Sequence, residues 1–494
     1  MKGKLSIVRI AGLILAVLQL VLSGILSVRF WDMGFLPTKL WGLLTVALAA
    51  AFLLVFVLQF VKGFHWFGKL LSLLIIIGLA LGLHYVNQAD TTLKEITDKT
   101  SIEKDQILVV VKKDSTAQTL DDLKSGNWGI QYANDVELMG KAADKVKEEL
   151  KTDVKLTAYD DYEALYPALM GGQVDCMIMN SSYMDMIDER TIEEDKYQFS
   201  QEIRIIKTLE FETKKEKTAA RVKKNFDITK DPFLIYISGI DTYGDISTRS
   251  RSDVNILMAV NPADRQILLL TTPRDAYVPL PGVSGGQRDK LTHAGIYGID
   301  CSMDTLNSIY GTDINYYARV NFNSVINIVD ALGGIEAYSA YDFNTGEYSF
   351  KKGYNHMDGK KALSFSRERH AFGEGDHQRG RDQLEVIKGI VNKCISPAIL
   401  TGFSGILEEV SSQVQTSLPT KSIYSLVKMQ LEDPRGWEMF SYDVQAKGAR
   451  EYCYSYSGKS LYVGYLVDSS VKQGSNLLKT VLKGDVITQE DVSQ

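Results

Sequence analysis

The sequence predicts an α/β protein on a membrane anchor. It reads as three N-terminal transmembrane helices, a small α/β accessory domain, and a larger α/β domain whose mixed central sheet is flanked by helices. Three observations carry this. Three uncharged apolar runs open the chain. Beyond them, apolar β-branched runs alternate with segments of helical spacing, twice over. At 494 residues the chain also exceeds one ordinary domain.

The apolar runs are residues 10–28, 40–61 and 70–89, bracketed by Arg9 and Arg29, Lys39 and Lys62, and Lys69 and Asp90. Each is long enough to cross a hydrocarbon core of ~30 Å as a helix. Lys2, Lys4 and Arg9 hold the N-terminus in the cytoplasm, and Lys62 with Lys69 keeps the second loop there too. Three crossings then place everything after residue 90 outside the cell membrane. No small-residue cleavage site stands out as a signal-peptide end. The domains predicted are residues 1–89 (anchor), 90–225 (accessory domain and linker) and 226–494, with a core at 231–397.

Charge divides the chain the same way. Residues 1–88 carry seven Lys/Arg and one Asp, whereas the whole chain is −6, so the exterior is strongly acidic. That is not the broad basic face of a nucleic-acid binder, and none is expected as a partner. The cysteines Cys176, Cys301, Cys394 and Cys453 lack zinc spacing. They read as free buried thiols, with a Cys301–Cys394 disulfide as the alternative in an oxidising exterior.

Residues 90–105 read as a polar stalk. In the accessory domain, strands are predicted at 107–111, 128–132, 154–158 and 174–179, with helices at 119–124, 136–150 and 162–170. The segment around Asp160–Ile178 loosely resembles one lobe of a periplasmic solute-binding protein, and the domain as a whole reads as a spacer or docking module. A strand at 204–209 precedes a charged linker over 210–230. The second domain opens with a strand at 233–238, and 254–271 reads as a hairpin turning at Asn261-Pro262-Ala263-Asp264. Helices follow at 301–310, closed by Gly311, and at 322–332, closed by Gly333-Gly334, with a strand at 316–321 between them. Helices at 358–365, 381–395 and 421–429 and strands at 438–442 and 460–467 complete it.

The second domain also holds clustered arginines and aspartates: Asp241 with Arg251 and Asp253, Arg274 with Asp275, and Arg367, Glu368 and Arg369 with Asp376, Arg379, Arg381 and Gln383. Arginine grips phosphate oxygens bidentately and keeps its charge. Paired aspartates are an ordinary way to hold Mg²⁺ beside phosphate. Outside a membrane, this combination points to a lipid-linked pyrophosphate. If extended, Arg367 and Arg369 share one face. Arg379 and Gln383 share a face at the start of the long helix, whose N-terminus itself favours an anion. Each arginine taken alone reads first as a surface side chain or a structural ion pair, and it is the grouping that favours a site.

These blocks resemble, in order, those of the LytR–CpsA–Psr family of cell-wall transferases over about residues 231–397. They are Ile240-Asp241 with Thr248 to Asp253; Thr272-Pro273-Arg274-Asp275; Lys290 to Ala294; Asp330 to Ile335; Met357 to Leu363; and Ser366 to Arg369 with Gly375-Asp376 and Arg379 to Gln383. The three spans and the intervening domain resemble the capsule-associated CpsA members of streptococci. The resemblance implies an enzyme of Gram-positive cells that moves a glycopolymer, here capsular polysaccharide, from a polyprenyl pyrophosphate to peptidoglycan. The product is a phosphodiester, and polyprenyl phosphate is released.

It further implies that Asp241 and Asp253 hold Mg²⁺, with Mn²⁺ as the alternative. Arg251, Arg274, Arg367, Arg369, Arg379 and Gln383 would hold the pyrophosphate, and Arg274, Asp275, Arg367 and Arg369 would be catalytic. Partners implied are the lipid-linked polymer, peptidoglycan, the membrane and the capsule-synthesis machinery. Residues 325–329 and 384–391 line a lipid tunnel or belong to ordinary core. The family's last block often ends Arg-x-x-Arg-Gln, whereas here Asp382 stands before Gln383, so Arg381 is displaced or structural. Asp275, His293 and His370 are the candidates for a general base, with an ion pair to Arg274 as the alternative for Asp275 and a structural role the first reading of each histidine. The same site also suits a sensor of lipid-linked polymer, or a hydrolase that passes the polymer to water.

Overall fold

A computed structural model describes residues 7–61, 63–98, 102–132, 135–214, 222, 225–240, 245–369, 371–373, 375–396 and 414–493. Three helices, Ile7–Met33, Thr38–Leu58 and His65–Asp98, are long and apolar enough to cross a membrane. The third continues well past its apolar run. At ~1.5 Å per residue its 34 residues rise about 50 Å, more than a hydrocarbon core. The stalk expected at 90–105 is therefore largely helix. Ala89, Leu93 and Ile96 are buried there against Tyr424 of the helix Thr420–Glu432. The Tyr424 hydroxyl donates to Asp90 at 3.1 Å. Apolar spacing continues under the polar residues, and a neighbour covers it.

The accessory unit is a five-stranded mixed sheet of Asn127–Gln131, Lys155–Tyr159, Cys176–Asn180, Ile102–Lys112 and Ile203–Lys214. The helices Val136–Leu150 and Tyr162–Met170 pack on it. The last strand runs to Lys214, so 210–214, expected as linker, is ladder. Its alternate charged residues face solvent, which hid it in a charge-rich stretch. A helix Met184–Arg190, absent from the sequence reading, follows the buried strand Cys176–Asn180 and runs into a π-helical turn at Thr191–Asp195.

The larger unit holds a six-stranded mixed sheet. From one edge its strands are Val414–Thr416, Tyr316–Val320, Phe233–Ile240, Ser252–Asn261, Gln266–Thr271 and Glu438–Asp443. The strand Ser252–Asn261 runs antiparallel to both its neighbours, which makes the hairpin expected at 254–271. Phe233–Ile240 pairs in parallel with Tyr316–Val320. Leu234, Tyr236, Leu257 and Leu268 on one face pack against the helices Ile299–Tyr310 and Asp468–Lys483. On the other face, Ile235, Ile256 and Leu269 pack on Leu384 of the helix Asp376–Cys394. The helix Asp468–Lys483 and the strand Ala446–Cys453 were not foreseen.

Two features prepare the site. The ends Ile240, Thr271 and Val320 lie together with the start of Ser252–Asn261, and such carboxyl ends of strands are where open sheets bind ligands. At that start the register steps from Gly239↔Val254 to Ile240↔Ser252, so Asp253 is the extra residue of a bulge. A Cβ on Gly239 would lie 2.6 Å from Val254, so the crossing there needs glycine.

The two soluble units share one core. Leu108, Tyr166 and Tyr183 of the accessory unit pack with Ile296, Tyr456, Leu461 and Val463 of the larger one. The Arg249 side chain reaches Glu103 at 2.8 Å and Asp105 at 3.2 Å. All four cysteines are free thiols, with Cys394 exposed, so no Cys301–Cys394 bridge is formed.

Candidate functional site

A cleft of about 800 Å³ opens at those strand ends. Arg251, Asp253, Arg274, Arg367, Arg369, Arg379 and Gln383 all line it. Residues spread over more than 130 positions of sequence thus converge on one place. A second wall is apolar, formed by Phe322, Val325, Ile326 and Leu363.

Each cation is placed by a different element. Arg251 immediately precedes the bulged strand and is 2 % exposed. Arg274 follows the strand Gln266–Thr271 and is 8 % exposed. Its Nη1 lies 2.7 Å from Asp253 Oδ2, and Thr292 Oγ1 donates to Asp253 Oδ1 at 2.9 Å. Burial alone would raise the Asp253 carboxyl, but Arg274, Arg251 and Arg379 hold it well below the usual range, so it is ionised.

Arg367 and Arg369 are not on an extended segment, as the reading of their spacing assumed. Arg367 ends the helix Gly359–Arg367, and extended backbone begins only at Glu368. Both line the cleft because the chain leaves the helix at its rim. The Arg367 guanidinium lies over the Phe322 ring, 4.1 Å from its centroid. The long helix begins at Asp376 rather than 381, which puts Arg379 and Gln383 in its first two turns, on one face.

Other expectations fare differently. Asp275 does not line the cleft. It is buried behind it, with Oδ1 3.0 Å from Lys290 Nζ, and an ion-paired carboxylate held below its ordinary range is a poor base. His293 is buried with Nδ1 2.6 Å from Asp289, a structural contact. Arg381 turns away towards Gln378 and Asp443. Of the suggested tunnel residues, Val325 and Ile326 line the cleft, whereas Val329, Leu384 and Val386 are core. Asp241 and His370 lie outside the described residues.

Two cleft-side residues were missed. Lys290 sits in a quoted block but carried no assignment, and it stands behind Arg274 on Asp275. Glu189 comes from the accessory unit. Its Oε1 lies 3.0 Å from both Arg251 Nη1 and Arg274 Nη2. No local signal marks it, because one glutamate in a charged stretch is ordinary until the fold brings it home.

For Mg²⁺ the donor chemistry fits in part. Asp253 is an ionised carboxylate in the cleft, as a hard cation requires, though it already serves Arg274 and Thr292. Among the described residues no three His, Cys, Asp or Glu cluster as ligands.

The fold and site define a mixed α/β domain with an arginine-lined cleft suited to an anionic ligand, beside three helices long and apolar enough to cross a membrane. The LytR_cpsA_psr family model matches residues 198–463, over half the chain, and the chain belongs to that family of cell-wall glycopolymer transferases. A polyisoprenyl-teichoic acid–peptidoglycan teichoic acid transferase, TagU, of Enterococcus faecalis is 37 % identical over 210 residues, covering 42 % of this chain and 68 % of the relative. TagU of Bacillus subtilis is 33 % identical over 213 residues, 43 % of this chain and 68 % of the relative. The crystal structure of B. subtilis TagU matches at 27 % identity and a TM-score of 0.42, covering 52 % of this chain and all of that one. A second family model, described as DNA polymerase processivity factor, matches residues 62–179, less than a quarter of the chain.

Proposed function

We propose that this protein transfers a polyprenyl-pyrophosphate-linked glycopolymer to peptidoglycan at the arginine-lined cleft. One observation carries the reading. Four of the proposed pyrophosphate ligands, Arg251, Arg274, Arg367 and Arg379, converge on one cleft with an apolar wall at Phe322, Val325 and Ile326. The cations suit the pyrophosphate and the wall suits the prenyl chain. The third helix, docked on Tyr424, tethers this domain to the anchor.

Phosphoryl transfer is mostly positioning and charge stabilisation. The arginines and Gln383 hold the phosphate oxygens, which leaves the sugar-side phosphorus electrophilic. An acceptor hydroxyl of peptidoglycan attacks that phosphorus, and its proton passes to water or to the departing phosphate. The new O–P bond forms as the bond to the bridging oxygen breaks, and polyprenyl phosphate departs. Asp253, with Asp241, would hold Mg²⁺, which neutralises charge on the phosphate oxygens.

Capsular polysaccharide is the polymer favoured by the layout of three spans and an accessory domain. The names of the relatives favour teichoic acid as a second reading. The cytoplasmic N-terminus and external soluble units follow from the basic residues of the anchor.

The test incubates the chain with Mg²⁺, a peptidoglycan oligomer and either a capsule-type or a teichoic-type lipid-linked donor, and weighs the oligomer by mass spectrometry. A sugar-phosphate adduct from the capsule-type donor is expected. An adduct from the teichoic-type donor alone supports the second reading, whereas sugar-phosphate released to water indicates a hydrolase.

A further inference from the structure

The helix Met184–Arg190 lies ahead of residues 198–463, the stretch matched by the family model, yet it enters the cleft of the larger unit. Glu189 Oε1 bridges Arg251 Nη1 and Arg274 Nη2 at 3.0 Å each, and Oε2 stands 3.9 Å from Lys290 Nζ. Asp185, one turn earlier on the same helix, reaches Arg251 Nη2 at 3.3 Å. Glu189 thus shares each guanidinium with other carboxylates: Arg251 with Asp185, and Arg274 with Asp253 and, at 3.8 Å, Asp275.

The accessory unit holds Glu189 in place. Arg190 is fixed to Glu163 at 3.2 Å and to Asp195 at 3.0 Å. Asp188 accepts from the Ser200 backbone N–H at 2.7 Å. Arg249, two residues before Arg251, is held by Glu103 and Asp105 of the same unit. The segment that presents Arg251 is therefore registered against the accessory unit at two points. Arginine carries five N–H donors in a rigid fork, which lets one guanidinium hold a carboxylate and a phosphate together.

Arg251, Arg274 and Lys290 are mutually repelling cations with little access to water. Glu189 is the group that faces all three. Burial pushes its carboxyl up, but Arg251, Arg274 and Lys290 together hold it well below its usual range. It is permanently charged and a weak base, so taking the acceptor's proton is not its role.

We propose that Glu189 is a positioning residue of the transfer reaction, through which the accessory unit fixes Arg251 and Arg274 in the geometry that holds the pyrophosphate. The catalytic centre is then composite, and the accessory unit is part of the enzyme rather than a spacer. The inference rests on the reading of Arg251 and Arg274 as pyrophosphate ligands.

The test uses the full chain in lipid nanodiscs, with a polyprenyl-pyrophosphate-linked oligosaccharide and a peptidoglycan oligomer. Glu189→Gln keeps the shape and removes the charge, and should lower kcat/KM by about tenfold or more, the scale of a misplaced binding group. Glu189→Asp should recover part of that loss; both variants should stay folded at the assay temperature, with a lower melting temperature for Glu189→Gln because it leaves buried cations without a carboxylate. In an Arg251→Lys background the same Glu189→Gln change should cost much less, because the two act as one unit.

A Glu189→Gln rate equal to or above that of the parent overturns the inference. So does an equal loss in both backgrounds, or a loss that comes from unfolding at the assay temperature and is not recovered by aspartate. Arg274→Ala serves as the separate control. If that variant still attaches polymer, the pyrophosphate site itself is misassigned, whatever Glu189 does.

Discussion

Arg274 and Asp253 form a close ion pair in the cleft: Nη1 stands 2.7 Å from Oδ2, at the point where a bulge turns Asp253 out of the ladder. The pair ties the end of one strand to the start of its neighbour. It holds one nitrogen of a cleft-lining guanidinium whose other Nη is held by Glu189.

Arg274→Ala should reduce polymer attachment by at least about a hundredfold, the usual scale for removing a donor that stabilises developing charge. Circular dichroism should still show a folded chain, with a lower melting temperature because the loss strands the buried carboxylates of Asp253 and Glu189. Asp253→Ala should cost both as well. It leaves Arg274 without its 2.7 Å partner, and stranding a buried charge costs about 3–5 kcal/mol, so both activity and thermal stability should fall.

Phe322→Leu should weaken pyrophosphate binding modestly. Arg367 loses the ring 4.1 Å beneath it, and such contacts are worth about 0.5–2 kcal/mol. Titration with inorganic pyrophosphate by calorimetry should show a Kd raised by about two- to thirtyfold. The apolar replacement keeps the wall of the cleft.

Asp382 makes stability depend on pH. It is 2 % exposed, with Gln378 donating to Oδ1 at 2.8 Å. Burial pushes its carboxyl from 3.8 up to about 7. An acid raised on folding contributes stability that is full below about pH 4 and is lost as pH rises through about 7. The shift bounds the effect at about 4 kcal/mol. The melting temperature of the detergent-solubilised chain should fall between about pH 4 and 7, and Asp382→Asn should flatten that slope.

Gly295→Ala should lower activity by moving Arg251. A Cβ there would lie 2.5 Å from the Ser250 carbonyl oxygen and 3.1 Å from the Arg251 carbonyl carbon. Backbone cannot yield as a flexible side chain does, so the segment carrying Arg251 must shift. The kcat/KM should drop by more than about tenfold while the anchor and accessory sheet stay folded.

What the sequence disclosed follows from the range of the signals. The helices Val136–Leu150 and Tyr162–Met170 were legible to the residue, because apolar spacing and their caps are local. Arg251, Arg274, Arg367, Arg369, Arg379 and Gln383 were legible as a group, and the fold gathers them in one cleft. The helical run-on to Asp98 was not, since its apolar face counts only once Tyr424 covers it. Asp275 was misplaced because adjacency to Arg274 does not say which side of a turn faces the cleft, and Lys290 takes it inward. Glu189 was illegible for a deeper reason. Its meaning depends on how two units distant in sequence pack together, and no spacing within the chain encodes that.

The most direct measurement of the central claim follows one phosphorus. A donor labelled with ³²P at the sugar-side phosphate is incubated with the full chain, Mg²⁺ and a peptidoglycan oligomer, and the label is traced. We expect it in the oligomer, as a phosphodiester that Arg274→Ala abolishes. Label that stays with the lipid, or leaves as free sugar-phosphate in the presence of acceptor, would contradict the account.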